Sequence, residues 1–257
     1  MDIFNNYVYL VGIKDTGKRV LDKINHNNLE WLFNRTSKYD KSVEMGSNKC
    51  SMSITRVYNH SILKYCIDDP NKIDFDIKLE DVNCVAVILV YDEEGYEDAK
   101  RFKEVINSDY ILYVDICVND SNDFNEIKAI NTKEEYAKEV ICDMLILTLP
   151  CPGIVAFDYA DFKSFMEDGY RYGCFLTIGD YINGVTISTL GKLNNIDGIY
   201  ETLTIVVGKP FSLKAIEPLL RLEYNSTLSY CYGDDSMKNY RILVIYKLKG
   251  KMGKIIN

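Results

Sequence analysis

The run Cys84–Tyr91, with the sequence CVAVILVY, constrains the fold of this 257-residue chain more than any other feature. A strand with one solvated face alternates apolar and polar side chains, whereas this run places apolar side chains on both faces. Strands of that kind occur in the centre of parallel sheets that helices cover on both sides. The run therefore predicts a buried central strand in an α/β domain.

Helical and strand-like segments alternate around this run. Residues 7–11 form a short β-type run, residues 18–31 and 97–106 carry helical spacing, and residues 110–118 predict another strand. This β-α-β-α-β order indicates an α/β domain with a parallel sheet. Two further segments alternate like strands of a hairpin or of a sheet edge: 51–58 and 62–67.

The second half of the chain changes its pattern after a long helix. Residues 132–135, Thr-Lys-Glu-Glu, form a capping box that opens a helix ending before Pro150. The later segments predict helix, strand, helix, strand, helix and two strands: 162–169, 172–178, 181–193, 202–207, 213–222, 227–232 and 241–248. The last two strands, adjacent around an acidic turn, indicate a mixed sheet. We predict three parts: residues 1–131, a connecting helix 132–149, and residues 150–257.

Composition excludes several functional classes. The net charge of −8 argues against a general nucleic-acid binder, because no basic surface dominates. We expect neither a signal peptide nor a membrane span, and the eight scattered cysteines, without a CxxC pair, fit reduced thiols in a cytoplasm. With two histidines, we expect no metal site. We predict a solvated C-terminal group of lysines: Lys247, Lys249, Lys251 and Lys254.

Residues 152–162, PGIVAFDYADF, bring two aspartates close to an apolar run. Either Asp158 or Asp161 could cap the next helix, because carboxylates favour its positive N-terminal end. Alternatively, the loop presents two carboxylates to water or to a bound partner. The residues alone leave both interpretations open.

The order of the elements, together with this loop, resembles the FtsZ/tubulin family. In that family the loop after a central helix carries an Asn-x-Asp-x-x-Asp motif that follows Pro-Gly. The two aspartates of the motif fall on Asp158 and Asp161, whereas its asparagine position is Ala156. The resemblance extends over about residues 140–250 and includes these segments: 166–173, 179–180, 203–213 and 229–246.

The resemblance implies a fold and a site. It implies a Rossmann-like N-terminal domain with a parallel sheet, a central helix, and a smaller α/β C-terminal domain with a mixed sheet. In such filaments the loop enters the nucleotide site of the next subunit and orients the attacking water. Asp158 and Asp161 would then be trans-acting catalytic residues, if the activity is retained.

The first half departs from the family in its chemistry. The first loop has only Gly12 and Gly17 where the family is glycine-rich, and the acidic run 92–98, DEEGYED, replaces a run of glycines and threonines. Five carboxylates there would repel a phosphate and occupy the helix amides that hold phosphate. We therefore predict a lost GTP site and no cofactor, with GTP as the cofactor only if the family activity is retained.

These observations predict an FtsZ-like pseudo-GTPase of the cytoskeleton or of cell division. Its partner would be itself or an FtsZ-type protein. Such a chain would modulate the polymer of a true FtsZ-type subunit, or would assemble without nucleotide. A third interpretation treats Asp158 and Asp161 as structural relics.

A P-loop enzyme is the alternative interpretation of the first loop. Residues 12–19, GIKDTGKR, nearly match the Walker A pattern GxxxxGK[ST], with Gly12, Gly17 and Lys18 as the cofactor-binding residues. Arg19 stands where a hydroxyl would hold magnesium, and residues 87–93 resemble a Walker B strand end. A solvated first helical turn would equally account for Lys18 and Arg19.

Overall fold

The structure is a computed structural model. It describes residues 6–24, 36–37, 43–44, 51–57, 60–67, 84–106, 111–119, 129–148, 159–166, 170–222, 226–233 and 237–248. The chain divides into two compact units, one of Met1–Asn122 with Thr132–Leu149 and the other of Asp123–Asn131 with Pro150–Asn257. Each unit is described by itself. The assignment of the first part as a degenerate nucleotide-binding-like domain stays a prediction.

Unit 1 is built from strands and helices that alternate along the chain. Its strands are β1 (Asn6–Ile13), β2 (Thr36–Ser37), β3 (Val43–Glu44), β4 (Ser51–Val57), β5 (His60–Ile67), β6 (Cys84–Tyr91) and β7 (Leu112–Val118). Its helices are α1 (Lys14–Asp22), α2 (Tyr96–Ile106) and α3 (Glu134–Thr148), with a short 3-10 turn at Glu93–Gly95.

The centre of the unit 1 sheet is parallel. Strand β1 lies between β5 and β6 and runs parallel to both, and β7 continues the parallel order beside β6. Strand β4 pairs antiparallel with β5, as the predicted hairpin requires. Residues 86–91 of β6 are fully buried, which confirms the central strand expected from the apolar run.

The described residues of unit 2 form a mixed sheet and three helices. The strands are β8 (Ile130–Thr132, at the boundary of the units), β9 (Tyr172–Gly179), β10 (Ile199–Gly208), β11 (Ser226–Gly233) and β12 (Tyr240–Leu248). The helices are α4 (Tyr159–Phe165), α5 (Ile182–Leu193) and α6 (Leu213–Leu220). Strand β10 is parallel to β11 and antiparallel to β12, so the predicted mixed sheet is confirmed.

Two expectations from the sequence are wrong in detail. Strands β11 and β12 are not neighbours, because β10 lies between them and pairs with both. The first helix begins at Lys14, four residues before the predicted start, so Gly17 lies inside the helix and not before it. The fold class is nevertheless the predicted one, α/β with a parallel sheet in unit 1 and a mixed sheet in unit 2.

Lys247 is the clearest correction among the charged residues. It was expected in a solvated tail, but its side chain is 1% exposed on β12, in the interior of the unit 2 sheet. Its Nζ donates a hydrogen bond of 2.7 Å to Glu201 Oε2 on β10. Rings of three aromatic residues surround the ammonium at 4.7–5.9 Å: Phe165, Tyr170 and Tyr200.

The two faces of the unit 2 sheet are covered differently. Helices α5 and α6 pack on one face through an apolar core that includes Val185, Ile216 and Tyr246. Lys247 follows Tyr246 on β12 and therefore points to the opposite face, where it meets Phe165 of α4. Helix α4 is thereby held against the sheet by its buried phenylalanines.

Three cysteines and the lengths of the helices complete the description of the fold. Cys66, Cys117 and Cys142 are buried and form no disulfide, which agrees with the expected reduced thiols. In the part of the chain that the structure describes, no helix is both long and apolar enough to cross a membrane.

Candidate functional site

The junction of β1 and α1 lies where the sequence predicts a phosphate-binding loop. Strand β1 ends at Ile13 and α1 begins at Lys14, so no residue separates the strand from the helix. Lys14 has a φ of 56°, in the left-handed region that non-glycine residues seldom occupy. The whole change of direction therefore falls on one residue, without a loop that could surround a phosphate.

Gly12 and Gly17 are both buried in this junction and contact each other. A Cβ atom at Gly17 would lie 2.3 Å from the carbonyl oxygen of Val90 and 2.8 Å from Cα of Gly12. A Cβ atom at Gly12 would lie 2.7 Å from the carbonyl carbon of Gly17. The two glycines thus allow α1 to approach β1 and β6 at backbone distance. Their role in binding a cofactor stays a prediction.

Polar side chains at the junction bond to one another. Thr16 Oγ1 donates to Asp92 Oδ2 at 2.5 Å, and Arg19 Nη2 donates to Thr16 Oγ1 at 3.0 Å. Lys14 Nζ donates to the carbonyl oxygen of Glu94 at 2.6 Å and lies 3.4 Å from Asp98 Oδ2. The cation nearest to the strand end is therefore neutralised by groups of the same chain.

The acidic run 92–98 forms the 3-10 turn and the start of α2. Asp92 caps the turn, because its Oδ1 accepts a hydrogen bond of 3.0 Å from the amide of Gly95. Glu93 Oε1 accepts a hydrogen bond of 2.9 Å from Asn119 Nδ2 at the end of β7. The first turn of α2 also contains Glu97 and Asp98, which complement the helix dipole. An amide of this turn is therefore occupied by a carboxylate of the chain itself.

Arg19 and Lys23 join α1 to the start of α3. Both bond to the carboxylate of Glu134, each at 3.1 Å. The hydrogen bonds from Arg19 and Lys23 lower the pKa of Glu134, and the bond to Glu134 raises the pKa of Arg19. Arg19, at the Walker hydroxyl position, thus has a structural partner, while Lys18 is exposed on α1.

Asp115 on β7 belongs to a buried polar group that the sequence patterns do not predict. Asp115 Oδ2 accepts hydrogen bonds from Tyr91 Oη, at 3.1 Å, and from Lys103 Nζ of α2. Its Oδ1 is buried and has no hydrogen-bond partner among the residues that the structure describes. Burial raises the pKa of Tyr91, and burial together with Glu93 and Asp92 raises the pKa of Cys117 to about 12. The sequence does mark this position, because Asp115 is the one charged residue in the otherwise uncharged strand LYVDICV.

The predicted trans-acting pair falls in unit 2. Asp158 lies outside the described residues, and Asp161 lies in the first turn of α4 with an exposed side chain. Helix α4 is anchored by Phe162 and Phe165, which are 0% and 1% exposed. The structure therefore brings Gly12 and Gly17 together, leaves Lys18 on the surface, and places Asp161 on the other unit. Among the described residues, no three His, Cys, Asp or Glu side chains are grouped to hold a metal.

Comparisons with known proteins find distant structural similarities. No family model and none of the curated proteins matches this sequence. TubZ from the Clostridium botulinum phage c-st is similar in structure, with a TM-score of 0.45 and 12% identity over 96% of this chain and 94% of that chain. The GDP-bound monomer of CetZ1 from Haloferax volcanii gives 0.41 and 10% identity over 63% of this chain. This chain spans 64% of that protein. Similarities this low carry no conclusion on function.

Proposed function

We propose that this chain is a cytoskeletal protein of the FtsZ/tubulin type without a working nucleotide site. It acts by association with copies of itself or with an FtsZ-type protein. One observation carries the proposal: Gly17 of α1 lies directly against Gly12 and Val90, so the strand-to-helix junction has no loop. Phosphate sites at such junctions need several free backbone amides that point at the ligand.

The charges at the junction support the same proposal. Asp92 and Asp98 lie beside Thr16 and Lys14, the two side chains that could otherwise approach an anion. Two like charges about 4 Å apart repel by about 1 to 4 kcal/mol at effective dielectric constants between 80 and 20. A triphosphate entering this edge would meet that repulsion and would also have to break the bonds of Thr16 and Lys14.

A P-loop enzyme is less well supported by this geometry. Walker A sites wrap a loop around the phosphates and place a hydroxyl on magnesium. Here Arg19 occupies the hydroxyl position and bonds to Glu134 and Thr16. Lys18, the residue that would reach the phosphates, is exposed on α1.

Asp161 is the residue that suits a role toward a partner. It is exposed on α4, whose buried phenylalanines hold the helix in place. If this chain docks onto a true FtsZ-type subunit, Asp161 and Asp158 would be offered to the nucleotide site of that subunit. The chain would then cap or modulate a polymer that it cannot itself extend with GTP.

Nucleotide binding tests the first part of the proposal. Purified protein is titrated with fluorescent GTP and ATP analogues in the presence of magnesium, and phosphate release is followed in parallel. We expect no saturable binding and no phosphate release above the protein-free rate. Micromolar GTP binding with turnover that Asp161→Asn abolishes would overturn the proposal. ATP turnover lost in Lys18→Ala, but kept in the exposed α2 control Lys100→Ala, would establish the P-loop enzyme instead.

Co-sedimentation with FtsZ from the same cell tests the modulator role. We expect the wild-type chain to change the mass of pelleted FtsZ polymer or its GTPase rate. The Asp158→Ala and Asp161→Ala variants should reduce that change without altering the circular dichroism of the chain. An unchanged polymer mass and an unchanged GTPase rate would contradict the modulator role and leave self-association as the remaining mode.

A further inference from the structure

Five of the six exposed residues of α5 are uncharged, and the sixth is Lys192. We call the α5 face the set of uncharged exposed residues of this helix: Asn183, Gly184, Ile187, Ser188 and Gly191. Ile187 is 69% exposed, and Tyr181, just before the helix, is 81% exposed. Surface helices ordinarily place charged and polar side chains on the solvent side. An exposed isoleucine between two glycines is not what solvent alone would favour.

The two glycines of the α5 face have no packing role within the described chain. Nothing lies within 4 Å of the position that a Cβ atom would take at Gly184 or at Gly191. A glycine inside a helix destabilises it by roughly 0.5–1 kcal/mol relative to alanine. Because they are seven residues apart, the two glycines lie on the same side of the helix, two turns from each other. They leave the backbone open to a close approach from outside.

We propose that the α5 face binds the α5 face of a second copy of this chain. Gly184 and Gly191 are equally distant along the helix from the midpoint between Ile187 and Ser188. Two antiparallel α5 helices related by a two-fold axis through that midpoint therefore place each Ile187 beside the glycine-flanked backbone of the other copy. Such a surface is self-complementary, as a two-fold contact requires.

The charge distribution favours a second copy as the occupant. Two copies of a chain with a net charge of −8 repel each other over most of their surfaces. The α5 face brings no like charges together, because none of its five residues is ionisable. The cation on this helix, Lys192, directs its Nζ toward the sheet and donates to the carbonyl oxygen of Leu176 at 2.9 Å.

The size of the face sets the strength of the contact. A helix of 12 residues is about 18 Å long. Stable complexes bury about 800 Å² on each partner, which is more than one helix face provides. The contact is therefore weak between free chains and gains strength where many copies are held together in a polymer. This inference rests on the proposed function, since it names the surface through which the chain meets itself.

Sedimentation velocity without nucleotide tests the contact. We expect the wild-type sedimentation coefficient to rise between about 10 μM and about 1 mM, the range of weak interfaces. Ile187→Glu and Ile187→Lys should each weaken association about tenfold or more, because like charges then meet across the axis. An equimolar mixture of the two variants should associate more strongly than either alone. Tyr136→Lys, on an exposed residue of α3, should associate like the wild type.

Three results would overturn the inference. A wild-type chain that stays monomeric over the whole range has no such contact. Variants at Ile187 that associate like the wild type place the contact elsewhere. A mixture of the Glu and Lys variants that associates no better than either one shows that the α5 face meets a different surface. Nucleotide binding is measured separately, so these results are distinct from a failure of the proposed loss of the GTP site.

Discussion

Two pairs of glycines differ in what surrounds them, and the difference separates a closed site from an open surface. At Gly12 and Gly17 in unit 1, a Cβ atom would meet backbone atoms at 2.3–2.8 Å. At Gly184 and Gly191 in unit 2, no atom of the described residues lies within 4 Å of the same position. The first pair is required by contacts inside the chain. No described contact within the chain requires a glycine at positions 184 and 191, which is why we proposed a contact with a second copy.

The comparison also shows why a glycine motif is a weak sign of nucleotide binding. The spacing of Gly12 and Gly17 suits a phosphate loop, but the same spacing suits a helix that packs directly on its strand. The two interpretations differ in whether the amides are free. At this junction the helix begins at Lys14, immediately after the strand, and Thr16 is bonded to Asp92. The side chains of Thr16 and Lys14 therefore form their hydrogen bonds with groups of the same chain.

The largest expected effect is that of Gly17→Ala. The added Cβ would overlap the carbonyl oxygen of Val90, a backbone atom that cannot turn away. We expect a loss of about 3 kcal/mol or more in the free energy of unfolding, at the upper end of overpacking costs. Urea denaturation followed by circular dichroism measures it. The exposed neighbour Lys18→Ala serves as control and should change stability by less than about 0.5 kcal/mol. Equal midpoints for Gly17→Ala and the wild type would show that α1 does not lie against β6.

The next largest loss of stability is expected at the hydrogen bonds of Asp92, beside the junction of β1 and α1. Asp92→Ala removes the cap of the 3-10 turn and the acceptor of Thr16. We expect it to destabilise the chain by about 1–2 kcal/mol, the usual cost of a lost cap and hydrogen bond. GTP binding should stay absent, because the variant removes a charge but creates no loop. Glu97→Gln, an exposed residue of the same acidic run, is the control and should leave the unfolding midpoint nearly unchanged. A gain of GTP affinity in Asp92→Ala would contradict the steric explanation.

The parts of the fold that local patterns govern could be predicted from the sequence. The run with apolar side chains on both faces predicts the buried strand β6, and the alternation of apolar and polar residues predicts the β4–β5 hairpin. Adjacency along the chain was a poor guide where strands pair at a distance. The acidic turn 233–235 suggested that β11 and β12 are neighbours, yet β10 pairs with both, and no local pattern encodes that register.

The sequence indicates the position of the candidate site, at the junction of β1 and α1, but not the contacts that its residues make. The glycines and the acidic run marked the edge of the sheet, whereas the closing contact of Gly17 with Val90 depends on residues 73 positions apart. Lys247 makes the same point, since its partner Glu201 is 46 residues away. Read locally it belongs to a lysine-rich tail, and only the pairing of β12 with β10 shows that it is buried.

Gly191→Ala tests the pair Gly184 and Gly191. Its change in the free energy of unfolding should be opposite in sign to that of Gly17→Ala. Alanine fits the space around residue 191 and restricts the unfolded chain, so we expect a gain of about 0.5–1 kcal/mol in the free energy of unfolding. The same variant should weaken self-association, because the added methyl group keeps a second helix at a distance. Gly198→Ala is the control: it also meets open space, but its φ of 77° strains alanine, so it should destabilise. A loss of stability in Gly191→Ala would show that this glycine is needed within the chain.

The smallest expected effect is that of removing the charge of Glu134. The first turns of α1 pack through Gly17 against backbone atoms, whereas the end of the helix is bound to Glu134 by ion pairs. Arg19 and Lys23 lower the pKa of Glu134. A carboxyl with a lowered folded-state pKa stabilises the fold fully above its ordinary pKa of about 4.3. The contribution is lost as the pH falls through the folded-state pKa. We expect Glu134→Gln to unfold at slightly lower urea than the wild type at pH 7, and the two midpoints to converge in acid.

Salt separates this electrostatic contact from the steric one. Because the Glu134 carboxylate and its partners are partly exposed, added salt should reduce the difference between Glu134→Gln and the wild type. The deficit of Gly17→Ala should be insensitive to salt, since it arises from overlap with Val90. A Glu134→Gln difference that persists both in high salt and below the folded-state pKa would mean that Glu134 holds α1 by packing. Both ends of the helix would then be fixed in the same way.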